Sequence, residues 1–365
     1  MNLDASCLPA GRYVVQKKDI QMLKAPVFIS GLRKSGTSMV KALLDSHPDF
    51  FVFPANELHL FKFSYHPSII KDKSAFIENP KELLRKIAYN KFISRIADKN
   101  SEFYIPQFNF TSFKQYIENS EVENCQNVYE VLFKAFYYAI EESGNPDNLR
   151  FVSKTVLETE FFPELLSWYP DMKFIYVLRN PYAHFVSAIK SLRTHSRWNK
   201  KEAYEGMKLS AFKNPYPYLG PEIFRMKYSY YFMEKFKRLY PDNFHILVYD
   251  DLLKDSETEL KQLTDFLRVD YNATLLKPTI LDKVWEGNSW RNHQFNQISK
   301  APLDEWKQDI SGGEIRLLNK FFQNITEKYF SLETSGSNIL KPFQPSEYVP
   351  HRYILNRLLY FTKLF

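Results

Sequence analysis

The stretch from Pro26 to His47, PVFISGLRKSGTSMVKALLDSH, admits few structures. Val27 to Ser30 is a short apolar run of the kind that fills a central strand. Gly31 to Gly36 reads as a tight loop. Val40, Leu43, Leu44 and His47 then recur at helical spacing, so a helix is expected to start near Thr37. Thr37 and Ser38 in its first turn can cap backbone donors or bind an anion. Unpaired amides at a helix N-terminus, together with the helix dipole, make an anion site. Arg33 and Lys34 add positive charge in the same loop. Strand, loop and helix in this order form a phosphate loop.

The spacing matches only half of the usual nucleotide-triphosphatase pattern. Gly31 and Gly36 fit G-x-x-x-x-G, but Thr37-Ser38 stands where that pattern has Lys-Ser/Thr, and the cation sits inside the loop at Lys34. The missing Lys counts against an ATPase or kinase. The arrangement G-x-x-[RK]-[ST]-G-[TS]-[TS] resembles the 5′-phosphosulfate loop of sulfotransferases that use 3′-phosphoadenosine 5′-phosphosulfate (PAPS). The resemblance places Arg33, Lys34, Ser35, Gly36, Thr37 and Ser38 at the donor.

Charge alone does not choose a ligand. A net charge of +7 suits nucleotide phosphates, acidic glycans, nucleic acid and anionic lipid surfaces alike. The two cysteines, Cys7 and Cys125, have neither metal-ligand spacing nor a disulfide framework. That fits a reducing compartment, or a fold that needs no staples. Residues 1–31 hold no apolar run long enough for a signal peptide or a membrane span, so the expectation is a cytoplasmic protein.

Phe50 to Pro54 reads as a second strand, followed at once by Asn56-Glu57-Leu58-His59-Leu60-Phe61. In an extended segment Glu57 and His59 face the same side, placed for proton transfer beside the phosphate loop. The alternative is a helix-start Glu and a core-facing His. The segment resembles K-E-x-H-F-F of heparan-type carbohydrate sulfotransferases. That resemblance makes Glu57 the catalytic base and His59 an auxiliary, and it points to a glycan or glycolipid acceptor. Residues 64–148 read as a mostly helical insertion, which the resemblance assigns to the acceptor side.

Phe151 to Thr155 is the next expected strand. It resembles the family's [DE]-K-T-P segment, with Ser153 and Val156 replacing the acid and the proline. Lys154 either faces the active site or is a plain strand-end cation. Phe174 to Leu178 is a continuous apolar run, as a central parallel strand requires. Asn180 suits an N-cap and Pro181 the first helical position. Arg179 then sits at the carboxyl end of a strand, where open α/β sheets bind ligands, and offers a planar fork to a phosphate. Ser187 on the following helix adds a hydroxyl. The alternative is an Arg neutralised by a carboxylate. The run resembles the 3′-phosphate motif strand-R-[DN]-P-x(5)-S.

Phe244 to Tyr249 reads as a further strand and Asp250-Asp251 as a helix start. The resemblance puts Tyr249 near the nucleotide. It also puts Asn288, Ser289 and Arg291 in a late loop closing over the adenosine and 3′-phosphate. Trp306-Lys307 and a helix from Ile315 to Phe330 match the family's closing elements. Residues 331–345 are linker-like. Residues 348–365 form a basic, aromatic tail that can pack on the domain, on a second subunit or on a membrane surface.

The resemblance implies an α/β three-layer sandwich with a central parallel sheet, like P-loop nucleotide kinases, spanning 26–330 after a lead-in of 1–25. It implies in-line sulfuryl transfer from PAPS to an acceptor hydroxyl or amine, with no metal and no nucleic-acid partner. Lys34 would neutralise the leaving oxygen. Two alternatives stay open: a P-loop kinase using ATP and magnesium, and a non-enzymatic protein that binds a nucleotide or an acidic glycan.

Overall fold

The structure, a computed structural model, describes residues 25–54, 57, 79–89, 91–101, 104–141, 149–156, 159–194, 216–281, 283–285, 287 and 297–330. Its main strands are β1 (Val27–Gly31), β2 (Phe50–Val52), β3 (Arg150–Lys154), β4 (Lys173–Leu178) and β5 (Phe244–Val248). Its helices are α1 (Thr37–Asp45), α2 (Pro80–Ala88), α3 (Lys91–Ala97), α4 (Phe110–Asn119), α5 (Cys125–Ile140), α6 (Phe162–Trp168), α7 (Pro181–Thr194), α8 (Tyr216–Leu239), α9 (Tyr249–Lys254), α10 (Ser256–Leu267) and α11 (Gly312–Phe330). The chain divides into two compact units, residues 1–23 with 70–149, and residues 24–69 with 150–365.

The second unit is built on a five-stranded sheet in the order β2-β3-β1-β4-β5. Every pairing is parallel, and Ile29 of β1 lies between Lys154 of β3 and Ile175 of β4. β1 is the middle strand. From β1 the chain passes to the edge strand β2, returns to β3 beside β1, and then crosses to β4 and β5 on the other side. Open α/β sheets bind ligands outside the carboxyl ends of the strands at such a reversal.

The two faces of the sheet differ in kind, because alternate strand residues point opposite ways. One face is mostly aliphatic: Val27, Ile29, Val52, Val152, Ile175, Val177 and Leu247 pack with Val40, Leu43 and Leu44 of α1 and with Leu260, Leu263 and Leu267 of α10. The other is aromatic. Phe174 and Phe244 stack with centroids 5.0 Å apart, and Phe162 of α6 meets them edge-on at 5.4 and 5.3 Å. Phe236 of α8 stacks on Phe162 at 4.9 Å, and Tyr176 shares a 2.6 Å hydrogen bond with Ser229 of the same helix. Helices therefore cover both faces, giving the expected three layers around a parallel sheet.

His47 does not simply continue the apolar stripe of α1. Its Nδ1 accepts from the Asp49 amide at 3.2 Å, so Nε2 carries the proton and donates to Asp270 O at 2.9 Å. Helix α8 begins at Tyr216. Pro217 lies in its first turn, where a missing amide costs no hydrogen bond. No helix among the described residues is long and apolar enough to cross a membrane.

In the first unit, α2, α4 and α5 each start on an asparagine. Asn79, Asn109 and Asn124 accept from backbone amides of the first turn. Phe108, Phe113 and Phe136 form its aromatic centre, with centroids 4.9–5.3 Å apart. Lys81 of α2 closes the far end of α4: its Nζ donates to Ile117 O at 2.6 Å, Glu118 O at 2.9 Å and Ser120 O at 2.6 Å. These are carbonyls a helix end leaves without partners. Lys81→Met should remove all three bonds and speed hydrogen exchange along α4 by roughly tenfold, the effect of about 1.4 kcal/mol. Unchanged exchange would show that water replaces the ammonium without loss.

Candidate active site

The loop after β1 is shaped by two glycines. At Gly31 a Cβ would lie 2.7 Å from Val177 O and 2.9 Å from Ser35 Oγ. Gly36 has φ +103°, and a Cβ there would come within 2.3 Å of the Tyr249 ring. Lys34 between them also has positive φ, 66°. Ser35 closes the turn, donating both its amide (3.2 Å) and its hydroxyl (2.7 Å) to Leu32 O. Ser35 thus shapes the loop. Gly36 is the N-cap of α1 and makes no side-chain cap bond, so Thr37 and Ser38 are the first two residues inside the helix. The start of α1, with its helix dipole, attracts an anion.

If the loop holds the 5′-phosphate that the resemblance implies, Gly36→Ala should weaken binding of 3′-phosphoadenosine 5′-phosphate (PAP) at least tenfold, because the methyl both strains the backbone and displaces Tyr249. Calorimetric titration measures this, and wild-type affinity in the variant would contradict the fit.

Arg179 follows β4 directly and reaches the loop: its Nη1 donates to Lys34 O at 2.9 Å. Its guanidinium also lies 5.6 Å from the centre of the Tyr249 ring. The junction below is fixed by buried polar groups. Asn180 Oδ1 accepts from Tyr182 N at 2.9 Å and caps α7, while Asn180 N donates to Asp250 Oδ2 at 3.0 Å. Asp251 pairs with Lys254 at 2.8 Å. The two acids that open α9 therefore serve structural contacts. Ser187 is buried on α7.

Glu57 comes to the same end of the sheet from β2. Lys154 Nζ at the end of β3 donates to Glu57 Oε1 at 2.7 Å, and both side chains are largely buried. Lys154 is therefore more than a strand-end cation. His59, Asn288, Ser289 and Arg291 lie outside the described residues, as does the tail from 331 to 365.

Cations dominate this end of the sheet. Burial pushes Lys34 down to about 8, and Arg33, Arg179 and Lys154 add to the shift. Burial also lowers Arg33, which Glu222 opposes and Arg225 reinforces. Glu222, which sequence reasoning missed, is a fully buried carboxylate on α8. It accepts from Arg225 and meets His184 Nε2 at 3.1 Å. Burial would raise it, but Arg225, His184 and Arg33 hold it down at about 2. Lys41 of α1 is a second missed group, buried with its Nζ 3.1 Å from Pro54 O.

The geometry pairs an anion cradle, Lys34 and Arg179 with a carboxylate that Lys154, at the end of the neighbouring strand β3, holds beyond β2. That set can hold a phosphate and move a proton. Two solved structures share the fold. The sulfotransferase domain of the Synechococcus PCC 7002 olefin synthase matches with TM-score 0.51 and 18% identity, covering 85% of this chain and 97% of that one. The sulfotransferase domain from the curacin biosynthetic pathway matches with TM-score 0.51 and 21% identity, covering 85% and 99%. No curated protein matches the chain. Residues 26–273 match the sulfotransferase family, and the chain belongs to that family of sulfuryl-transferring enzymes.

Proposed function

We propose that the chain transfers a sulfuryl group from PAPS to a hydroxyl or amine of an acceptor, a glycan or glycolipid. The observation that carries this reading is the convergence at the carboxyl end of β1. There the start of α1 behind Gly36, the Arg179-to-Lys34 bond and the Glu57–Lys154 pair lie at one end of the sheet. The residues present fit the donor. Gly36 makes a left-handed turn with the Tyr249 ring packed where a Cβ would stand, a turn that lets loop amides face a 5′-phosphate. Arg179 and Ser187 would take the 3′-phosphate that distinguishes PAPS from ATP. Tyr249, Asn288, Ser289 and Arg291 would line the nucleotide.

In the proposed reaction Glu57 takes the proton of the acceptor hydroxyl or amine, with His59 as an auxiliary. The acceptor atom forms a bond to sulfur. The bond from sulfur to the bridging oxygen breaks, and its electron pair leaves on the 5′-phosphate of PAP. Lys34 neutralises charge growing on that oxygen. No step uses a metal. The logic parallels phosphoryl transfer, where positioning and electrostatics do most of the work.

Incubation with PAPS carrying radioactive sulfur and a panel of glycans, glycolipids and simple amines tests the reading. Label should move to a carbohydrate acceptor. Labelling of none, with PAP still bound, would favour a binding protein.

Lys34 also predicts a pH dependence. It favours a bound phosphate only when protonated, and it loses its proton near 8. PAP affinity should therefore fall as pH rises through about 8, because binding must then recruit a proton. A flat profile in calorimetry across that range would remove Lys34 from the phosphate site.

A further inference from the structure

Lys41 lies in the middle of α1, between Val40 and Ala42, and only 4% of it is exposed. Burying an ammonium among apolar side chains costs several kcal/mol unless it is hydrogen-bonded. A methionine would fill the same space at less cost. The ammonium donates to Pro54 O at 3.1 Å, and Pro54 precedes Glu57 by three residues.

The chain leaving β2 is thereby held at successive points. Phe53 N donates to Val152 O at 2.8 Å, which carries the pairing with β3 one residue past the strand. Pro54 is held from α1 by Lys41, and Glu57 then meets Lys154 at the end of β3. Of these three contacts two come from β3, and Lys41 brings the third from α1.

We propose that Lys41 is a positioning residue for Glu57, tying the segment that carries the carboxylate to the helix that follows the anion loop. Through it, the donor side and the proton-accepting side of the site share one rigid element. The inference rests on Glu57 acting as the base. Charge supports the same role. The groups facing Lys41 are Lys154 from β3, Asp45 from α1 and Glu57 beyond β2. Burial, and then Lys154, push Lys41 down to about 7, while Asp45 and Glu57 pull it back. At the acidic pH where carboxylates titrate, Lys41 is a cation near Glu57 and favours its ionised form.

The test uses the full chain with Lys41→Met, which removes bond and charge, and Lys41→Gln, which keeps a donor without charge. The Glu57 carboxylate band is followed by infrared difference spectroscopy, assigned by subtraction of Glu57→Gln. PAP affinity reports whether the loop is intact, and transfer from PAPS reports turnover. In both variants the Glu57 midpoint should move to higher pH by roughly half a unit or more. Lys41→Met should keep PAP affinity within about twofold while kcat falls about tenfold, and Lys41→Gln should recover part of that loss.

A midpoint and kcat unchanged in both variants would overturn the proposal. If Lys41→Met fails to fold, Lys41→Gln decides through the midpoint, which needs no acceptor. Full turnover in Glu57→Gln would overturn the base assignment and this role with it. Slow turnover in Glu57→Gln beside wild-type behaviour in both Lys41 variants would overturn the Lys41 role alone.

Discussion

Glu57→Gln is expected to lower kcat by about a thousandfold while leaving PAP affinity within about twofold. The substitution is nearly isosteric. A glutamine carbonyl can still accept from Lys154 Nζ, which now donates to Glu57 Oε1 at 2.7 Å, so the segment after β2 keeps its anchor. What is lost is the capacity to take a proton. An acceptor hydroxyl would then have to attack sulfur while still protonated, or give its proton to water. The magnitude lies within the range that positioned general bases contribute. Because the glutamine would keep the bond to Lys154 and so hold the segment in place, donor binding should not follow the rate. A kcat within threefold of wild type would move the base elsewhere. A parallel loss of PAP affinity would mean that Glu57 supports the loop and takes no direct part in proton transfer.

Arg179→Ala is expected to weaken PAP binding about a hundredfold, roughly 3 kcal/mol. Two effects combine. A guanidinium that makes charge-assisted hydrogen bonds to a phosphate contributes about 1.5–3 kcal/mol. Arg179 also donates to Lys34 O and lies over Tyr249, so its removal frees a loop whose Lys34 already has positive φ. The phosphate contact and the loop contact can be separated with adenosine 5′-phosphate, which lacks the 3′-phosphate. If Arg179 acts only through the loop, its removal weakens both nucleotides equally. If it grips the 3′-phosphate, PAP loses far more. A loss below threefold for PAP would take Arg179 out of the donor site.

The frame of the molecule was legible where apolar periodicity is strong. Val27–Ser30 and Phe174–Leu178 are unbroken runs, and each became a fully buried strand beside the other. The start of α1 was legible too, because Gly36 ends the loop and Val40, Leu43 and Leu44 repeat at helical spacing. The partner of Lys154 was not. Glu57 and Lys154 are 97 residues apart, and only the parallel pairing of β2 with β3 joins them.

Lys41 carries no mark in the sequence, since a lysine inside an amphipathic helix reads as surface. The chain leaving β2 is what covers it. The same holds for Glu222 and Arg225, which are charges at i and i+3 on a helix and look solvated until α7 brings His184 against them. Thr37 and Ser38 look like caps by composition. The backbone at Gly36 turns through left-handed space, and that glycine takes the cap position itself.

The most direct test of the donor assignment is calorimetric titration of the wild-type chain with PAP, and with ADP in the presence and absence of magnesium. PAP should bind tightly and independently of metal, with ADP weaker by at least tenfold for want of the 3′-phosphate. Preference for ADP with magnesium would contradict it and assign the site to a triphosphate.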